Sequence, residues 1–156
     1  SVAPGGRAWM VLAGAARAGV VLDAAARVLG HSIQELDAMA QDAPLVDAAA
    51  FLAGLQGAAG PVAPGEAPGA VWRGLLRALS ERTAETASRV AELVPAERLL
   101  VIGGGAASRP WLREKADVVS LPLVRPRTTP AAARGAAVFA GQAAGWWASP
   151  EEAPRP

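Results

Sequence analysis

A run of glycines after an apolar segment is the part of the sequence best suited to chemistry. Residues 99–102 are apolar, three consecutive glycines occupy 103–105, and a helical pattern begins after Ser108. Glycines at the carboxyl end of a strand let a ligand lie against bare backbone, because no Cβ stands in the way. Ligands bind at this edge of open α/β sheets. The order strand, glycine turn, helix therefore predicts a site for a nucleotide or a phosphorylated ligand.

The glycine motif matches neither of two familiar phosphate-binding patterns. A Walker A loop needs a Gly-Lys-Ser/Thr sequence, and none follows Gly105. A dinucleotide fingerprint needs spaced glycines, whereas the glycines here are consecutive. The alternative to a ligand site is a tight strand-to-helix turn in which the glycines serve packing only.

Strand and helix patterns alternate around this turn. Residues 8–13 and 121–124 are typical of strands, while 109–118 and 130–144 are typical of helices. The longest helical pattern covers residues 70–93, where apolar positions recur at helical spacing. This alternation predicts a three-layer α/β fold.

Two helices are predicted upstream from local signals. Residues 18–29 form an amphipathic pattern that Gly30 ends. Ser32 is a natural N-cap, and Glu35 three residues later completes a capping box, so a second helix is predicted over 33–41.

The remaining segments carry weaker patterns. Residues 45–55 are apolar and fit either a helix or a buried strand. The Gly/Pro-rich stretch 56–69 is predicted to be a loop. We expect one domain over residues 1–148 and a frayed, flexible tail over 149–156.

Composition narrows the classes of function. The 156 residues are 52% apolar and 19% charged, as in a globular domain, and the net charge of +1 argues against a nucleic-acid-binding surface. Cysteine is absent, which excludes disulfides and thiolate metal sites and suits the cytoplasm. The apolar stretch 8–22 is interrupted by Arg17 and is short for a membrane span, so no membrane association is expected.

Three segments carry motifs that occur together in one family of enzymes. Residues 102–117 follow the pattern GGGA-x-S-x-x-W…AD. Residues 121–145 are similar to a strand followed by E-x-x-A-x-G-A-A, and residues 77–84 are similar to a helix segment RA-x-x-EG-x-A. In this order, and over residues 70–147, the three segments resemble the C-terminal domain of the FGGY carbohydrate kinases.

The resemblance implies an actin-like, ribonuclease-H-like ATPase domain, one half of a two-domain kinase. Such kinases use ATP and Mg²⁺ to transfer the γ-phosphoryl group to a carbohydrate hydroxyl. The N-terminal domain supplies the catalytic base and most of the sugar site, so this chain is expected to hold no catalytic residue and to be inactive alone. Its partners would be ATP or ADP, with the carbohydrate bound through the N-terminal domain.

The resemblance also assigns roles to individual residues. Nucleotide binding falls to the residues of the glycine turn, namely Gly103, Gly104, Gly105, Ala106 and Ser108. The backbone of 104–106 would lie against the adenosine, and Ser108 would stand near the adenine or ribose. Gly135 and Ala136 would support the pocket by letting the last helix pack closely behind it.

Departures from the family pattern leave alternatives open. The stretch 56–69 lacks a clear GER-x-P segment, and Arg82 replaces the glycine expected after Glu81. A second hypothesis is therefore a degenerate, non-catalytic module of the same fold that senses nucleotide or dimerises. The exposed cleft face of a half-enzyme favours self-association, so a homodimer is a further expectation. A ligand-free α/β packing domain is the third alternative.

Other polar residues give weaker signals. His31 is the only histidine and has no second ligand nearby in sequence, so a structural or solvent-exposed role is expected. No metal site is predicted. Arg77 and Glu81 stand four residues apart and are predicted to pair along one helix. Four aspartates are expected to be solvated, namely Asp23, Asp37, Asp42 and Asp47.

Overall fold

A computed structural model describes residues 17–57, 65–127 and 130–154, and these residues are mainly helical. The helices are α1 Ala18–Leu29, α2 Ile33–Ala40, α3 Ala49–Gln56, α4 Pro68–Leu93, α5 Arg109–Val118 and α6 Ala131–Ala143. Two short strands, β1 Leu99–Leu100 and β2 Leu123–Val124, flank α5, and 3-10 turns occupy Gly104–Ala107 and Pro150–Glu152. No helix among the described residues is both long and apolar enough to cross a membrane.

Local signals define the first two helices as predicted. Gly30 ends α1 in the left-handed conformation with φ 73°, which a glycine adopts without steric cost. The capping box that opens α2 is confirmed: the Ser32 amide donates to Glu35 Oε2 at 2.8 Å, and the Glu35 amide donates to Ser32 Oγ at 3.2 Å.

The ambiguous segment 45–55 proves to be helical from Ala49. The Ala49 amide donates to Asp47 Oδ1 at 2.8 Å, and this bond satisfies one of the free amides at the start of α3. The helix turns Phe51 and Leu52 into the core. The predicted loop at 56–69 is bounded by the end of α3 and the start of α4, and residues 58–64 lie outside the described residues.

The N-terminal half of α4 lies at the centre of the core. Its buried face, which includes Val71, Trp72, Leu75 and Leu76, packs with apolar side chains of α1, α2 and α3. Trp111 of α5 joins the same cluster. The helical spacing of apolar residues in the sequence therefore predicted this helix, but its apolar face is buried only as far as Ser80, and Leu93 at its end is 72% exposed.

The two strands pair in parallel. Leu99 lies opposite Leu123 and Leu100 opposite Val124, and the Val101 amide extends the ladder by donating to Val124 O at 2.9 Å. Each strand is two residues long, whereas four were predicted for each, and the backbone beyond β1 turns at Gly103, which has φ 80°. The predicted strand at 8–13 lies outside the described residues, so the three-layer arrangement stays a prediction.

The last helix packs mainly on the chain that follows it. The Trp147 indole donates to Val138 O at 3.0 Å, and its ring covers Gly141, where a Cβ would collide with it. Arg134 Nη2 donates to Pro154 O at 2.7 Å. The segment expected to be a frayed tail thus includes a 3-10 turn and, in Ala153, a residue only 6% exposed.

Candidate functional site

The glycine turn, residues 103–108, links β1 to α5 through a tight backbone path. Gly103 has φ 80° and ψ −168°, a conformation that an L side chain rarely adopts. The Ala106 amide donates to Gly103 O at 3.1 Å and so closes the 3-10 turn. Ser108 then caps α5, because its Oγ accepts a hydrogen bond from the Trp111 amide at 3.3 Å.

Each glycine of the turn meets a different structural need. Gly103 supplies the positive φ. Gly105 supplies space, because a Cβ there would collide with the Trp111 ring. Gly104 has no heavy atom within 4 Å of the position that its Cβ would take. One glycine thus presents open backbone, and the other two shape the turn that holds it.

A cavity of about 740 Å³ lies beside the turn. Its walls come from α1, α2, α4, the segment 99–102, the turn and α5. Most lining side chains are apolar or aromatic, and the lining includes Ala18, Leu22, Ile33, Trp72, Leu76, Leu99, Val101, Gly104, Gly105, Ala107, Ser108 and Trp111. Ligand cavities commonly measure about 300–1,000 Å³ and have mostly apolar walls with a few polar groups.

The polar groups of this cavity include a buried lysine. Lys115 is 6% exposed, and its Nζ lies 3.1 Å from the centroid of the Trp111 ring. Burial lowers the pKa of Lys115 to about 7 because desolvation disfavours the ammonium form. Within the described residues, Trp111 Nε1 is buried and has no hydrogen-bond acceptor.

A neighbouring side of α5, which faces α4, also buries a charge, but here the charge is paired. Glu114 is 1% exposed, and its two carboxylate oxygens accept from Arg73 Nε at 2.8 Å and Arg77 Nε at 2.6 Å. Arg77 Nη2 also lies 3.2 Å from Asp117 Oδ2. The predicted pairing of Arg77 with Glu81 is wrong, because Arg77 points across to α5 and its guanidinium engages both acidic residues there.

The structure brings only part of the predicted site to the cavity. Gly104, Gly105 and Ser108 line it, and Ala106 is fully buried beneath the turn. Gly135 and Ala136 do not join them. A Cβ at Gly135 would meet nothing within 4 Å, and Ala136 is exposed. The close packing expected there is instead found at Gly141, against Trp147.

Lys115 and Trp111 are residues of the cavity to which the sequence assigned no binding role. A usable signal was present: Lys115 is the only lysine in a chain with 15 basic residues, and it follows Trp111 by four positions. That spacing places both side chains on one face of α5. The sequence could not show that this face turns inward.

The remaining candidates do not form a second site. Asp37, expected to be solvated, is half-buried and accepts a hydrogen bond from Trp72 Nε1 at 2.8 Å. Asp42 is exposed, and Asp47 accepts a hydrogen bond from the first amide of α3. The His31 amide donates to Ala26 O at 3.2 Å at the end of α1. In residues 17–57, 65–127 and 130–154, no group of three His, Cys, Asp or Glu side chains could hold a metal ion.

Comparison with known proteins gives one family for the chain. Residues 8–144 match the model of the FGGY family of carbohydrate kinases, C-terminal domain. The chain is 45% identical over 58 residues to a glycerol kinase of Koribacter versatilis, covering 37% of this chain and 12% of that protein. It is 33% identical over 93 residues to one from Trichlorobacter lovleyi, covering 58% and 19%. It is 36% identical over 84 residues to one from Saccharopolyspora erythraea, covering 50% and 17%. The chain therefore matches less than a fifth of the length of each of these relatives.

Proposed function

The chain belongs to the FGGY family of carbohydrate kinases, as their C-terminal domain, and from this we propose that its cavity binds the adenosine of ATP. The intact enzyme transfers the γ-phosphoryl group of ATP to a hydroxyl of a sugar or polyol. One observation carries the assignment of the site: open backbone at Gly104 borders a cavity of about 740 Å³ at the carboxyl end of β1.

The cavity suits a nucleoside in size and in chemistry. A purine is flat and largely apolar, and it fits a space walled by aliphatic and indole side chains. Gly104 lets the base or ribose approach the backbone, because no side chain projects from the turn there. Ser108 Oγ already accepts from the Trp111 amide, but its hydroxyl hydrogen remains a donor for a ligand oxygen or nitrogen.

The groups that bind the sugar and activate its hydroxyl are expected outside this chain. We propose that the catalytic base and the sugar contacts come from the N-terminal domain of the kinase, as the family resemblance implies. The described residues offer no carboxylate cluster for Mg²⁺, so the ion would enter with the nucleotide's phosphates. The relatives named glycerol kinase favour a polyol as acceptor, and dependence on ATP suits a cytoplasmic enzyme. The same comparisons favour a kinase over the non-catalytic alternative.

Calorimetric titration with MgADP tests the site. The Gly104→Leu variant places a side chain where the structure has open space, so it should fold normally and lose at least tenfold in affinity. Ala116→Leu is the matched control, because Ala116 is exposed on α5 and does not line this cavity. It should bind as the wild type does.

Two outcomes would count against the proposal. Undiminished binding by the Gly104→Leu variant would move the nucleotide elsewhere on the chain. Failure of the wild-type chain to bind adenosine, ADP or ATP would remove the site altogether. In the full-length kinase, Gly104→Leu should also lower phosphoryl transfer to a polyol panel, while Ala116→Leu should leave it unchanged.

A further inference from the structure

Lys115 is a buried cation for which the described part of the chain provides no anionic partner. Its side chain lines the cavity and is 6% exposed, and its Nζ lies over the face of the Trp111 ring, 3.1 Å from the ring centroid. The carboxylates of Glu114 and Asp117 on the same helix engage arginines of α4. Buried charges in proteins are normally paired, because desolvation without a partner is costly.

A second donor lies beside this lysine. Trp111 Nε1 is buried and has no acceptor within the described residues. Trp111 and Lys115 thus bring together, on the α5 wall of a mostly apolar cavity, two hydrogen-bond donors that have no acceptor among the described residues. This wall therefore favours a ligand that carries hydrogen-bond acceptors and negative charge.

We propose that Lys115, assisted by the Trp111 indole, is the anion-binding residue of the cavity and holds a phosphate group of the bound nucleotide. This inference rests on the proposed function, since it names the part of the nucleotide that α5 contacts. A phosphate supplies both the missing counter-charge and oxygens that accept from Nζ and Nε1.

The other ionisable groups of the cavity restrict where the anion can lie. Asp23 and Asp37 line the wall formed by α1 and α2, and Asp37 already accepts from Trp72 Nε1. Two carboxylates on that wall disfavour a phosphate there, so the α5 wall is the favourable one. The lowered pKa of Lys115 agrees with an ammonium that lacks its counter-ion in the free protein.

Comparing AMP with adenosine isolates the phosphate contact. In Lys115→Met, which keeps the length and apolar stem of the side chain, AMP affinity should fall about 10- to 100-fold, as for loss of a charged hydrogen bond. Adenosine affinity should change less than about twofold. Arg113→Met is the matched control, because it removes one positive charge from an exposed position of α5. It should leave the ratio of AMP to adenosine affinity unchanged.

Outcomes that overturn the proposal are specific. Equal weakening of adenosine and AMP by Lys115→Met would assign Lys115 to the base or to packing. Unchanged AMP affinity would remove Lys115 from the contact. Circular dichroism of both variants verifies that any loss is not unfolding.

The single lysine permits an independent test in the unmodified sequence. Reductive methylation with formaldehyde and cyanoborohydride labels Lys115 and the amino terminus, and mass spectrometry of peptides separates the two sites. AMP should slow labelling of Lys115 more than adenosine does at equal saturation. If adenosine fails to bind at all, the proposed nucleotide function fails. Inorganic phosphate then decides the anion site alone: protection of Lys115 supports it, and no protection overturns it.

Discussion

Two consecutive residues of α5, Glu114 and Lys115, bury opposite charges on different sides of the helix. Glu114 is 1% exposed and accepts hydrogen bonds from Arg73 and Arg77 of α4. Lys115 is 6% exposed and lines a cavity, and the described residues place the Trp111 ring beside its ammonium but give it no ion pair. The first charge is satisfied inside the fold, and the second is satisfied only in part.

The difference separates a structural role from a binding role. On the paired side, one carboxylate joins two arginines and fixes α5 against α4 in a single register. On the cavity side, the Lys115 ammonium and the Trp111 indole lack full partners among the described residues, which costs stability. Proteins retain such a cost where a bound ligand supplies the missing partners. The paired side thus holds α5, and with it the glycine turn, in position for the other side.

Removing the Glu114 carboxylate, which both arginines share, should have the largest effect on the free energy of unfolding. Glu114→Gln keeps the shape of the side chain but leaves Arg73 and Arg77 facing a neutral amide. We expect the free energy of unfolding in urea to fall by about 3 kcal/mol, as for breaking a largely buried ion pair. Arg113→Met, which is on α5 and exposed, should change it by less than about 0.5 kcal/mol. A comparably small loss in Glu114→Gln would mean that α4 and α5 are held by apolar contacts alone.

The glycine turn offers a second contrast, between neighbouring positions. Gly105→Ala places a methyl group against the Trp111 ring, so that the ring must shift. Overpacking of this kind costs about 2 kcal/mol. Gly104→Ala meets open space and should leave stability within about 0.5 kcal/mol of the wild type. Thermal unfolding compares the stabilities of the two variants. Equal stabilities would show that the Trp111 ring does not pack under the turn.

The unpaired side should make stability depend on pH. Burial lowers the pKa of Lys115 to about 7, below its value near 10.4 in an unfolded chain. Between these values the unfolded state binds more protons, so stability should rise with pH from about 7 towards 10. We expect a gain of about 1 kcal/mol between pH 7 and 9, reduced from the full linkage value because solvent in the cavity screens the charge. Lys115→Met should abolish this gain, and an unchanged pH profile would show that Lys115 is solvated.

Local signals explain how much of the fold the sequence predicted. Helices α1 and α5 have the predicted bounds, because Gly30 ends the first and Ser108 caps the second. The capping box of α2 was predicted for the same reason: its two residues are neighbours in sequence and need no tertiary contact. The glycine turn was likewise predicted from consecutive residues.

Tertiary contacts explain what the sequence missed. Arg77 was assigned a partner on its own helix, whereas its partner Glu114 is 37 positions away and becomes available only when α4 and α5 pack. The role of Gly105 depends on the Trp111 ring in the same way. Burial of Lys115 also follows from this packing, since the sequence places it on one face with Trp111 but does not orient that face.

Asp117, at the exposed edge of the paired side, should contribute least to the free energy of unfolding. Asp117 also pairs with Arg77, at 3.2 Å, but its side chain is 48% exposed, so water competes for both charges. Asp117→Asn should therefore cost about 0.5 kcal/mol in urea unfolding, and 0.5 M NaCl should remove most of that difference. Arg77 keeps its bond to Glu114 in this variant, which is why the loss stays small. If Asp117→Asn instead matched Glu114→Gln, the arginine would depend on both carboxylates equally. Burial of the carboxylate would then not decide how much each partner of Arg77 contributes to stability.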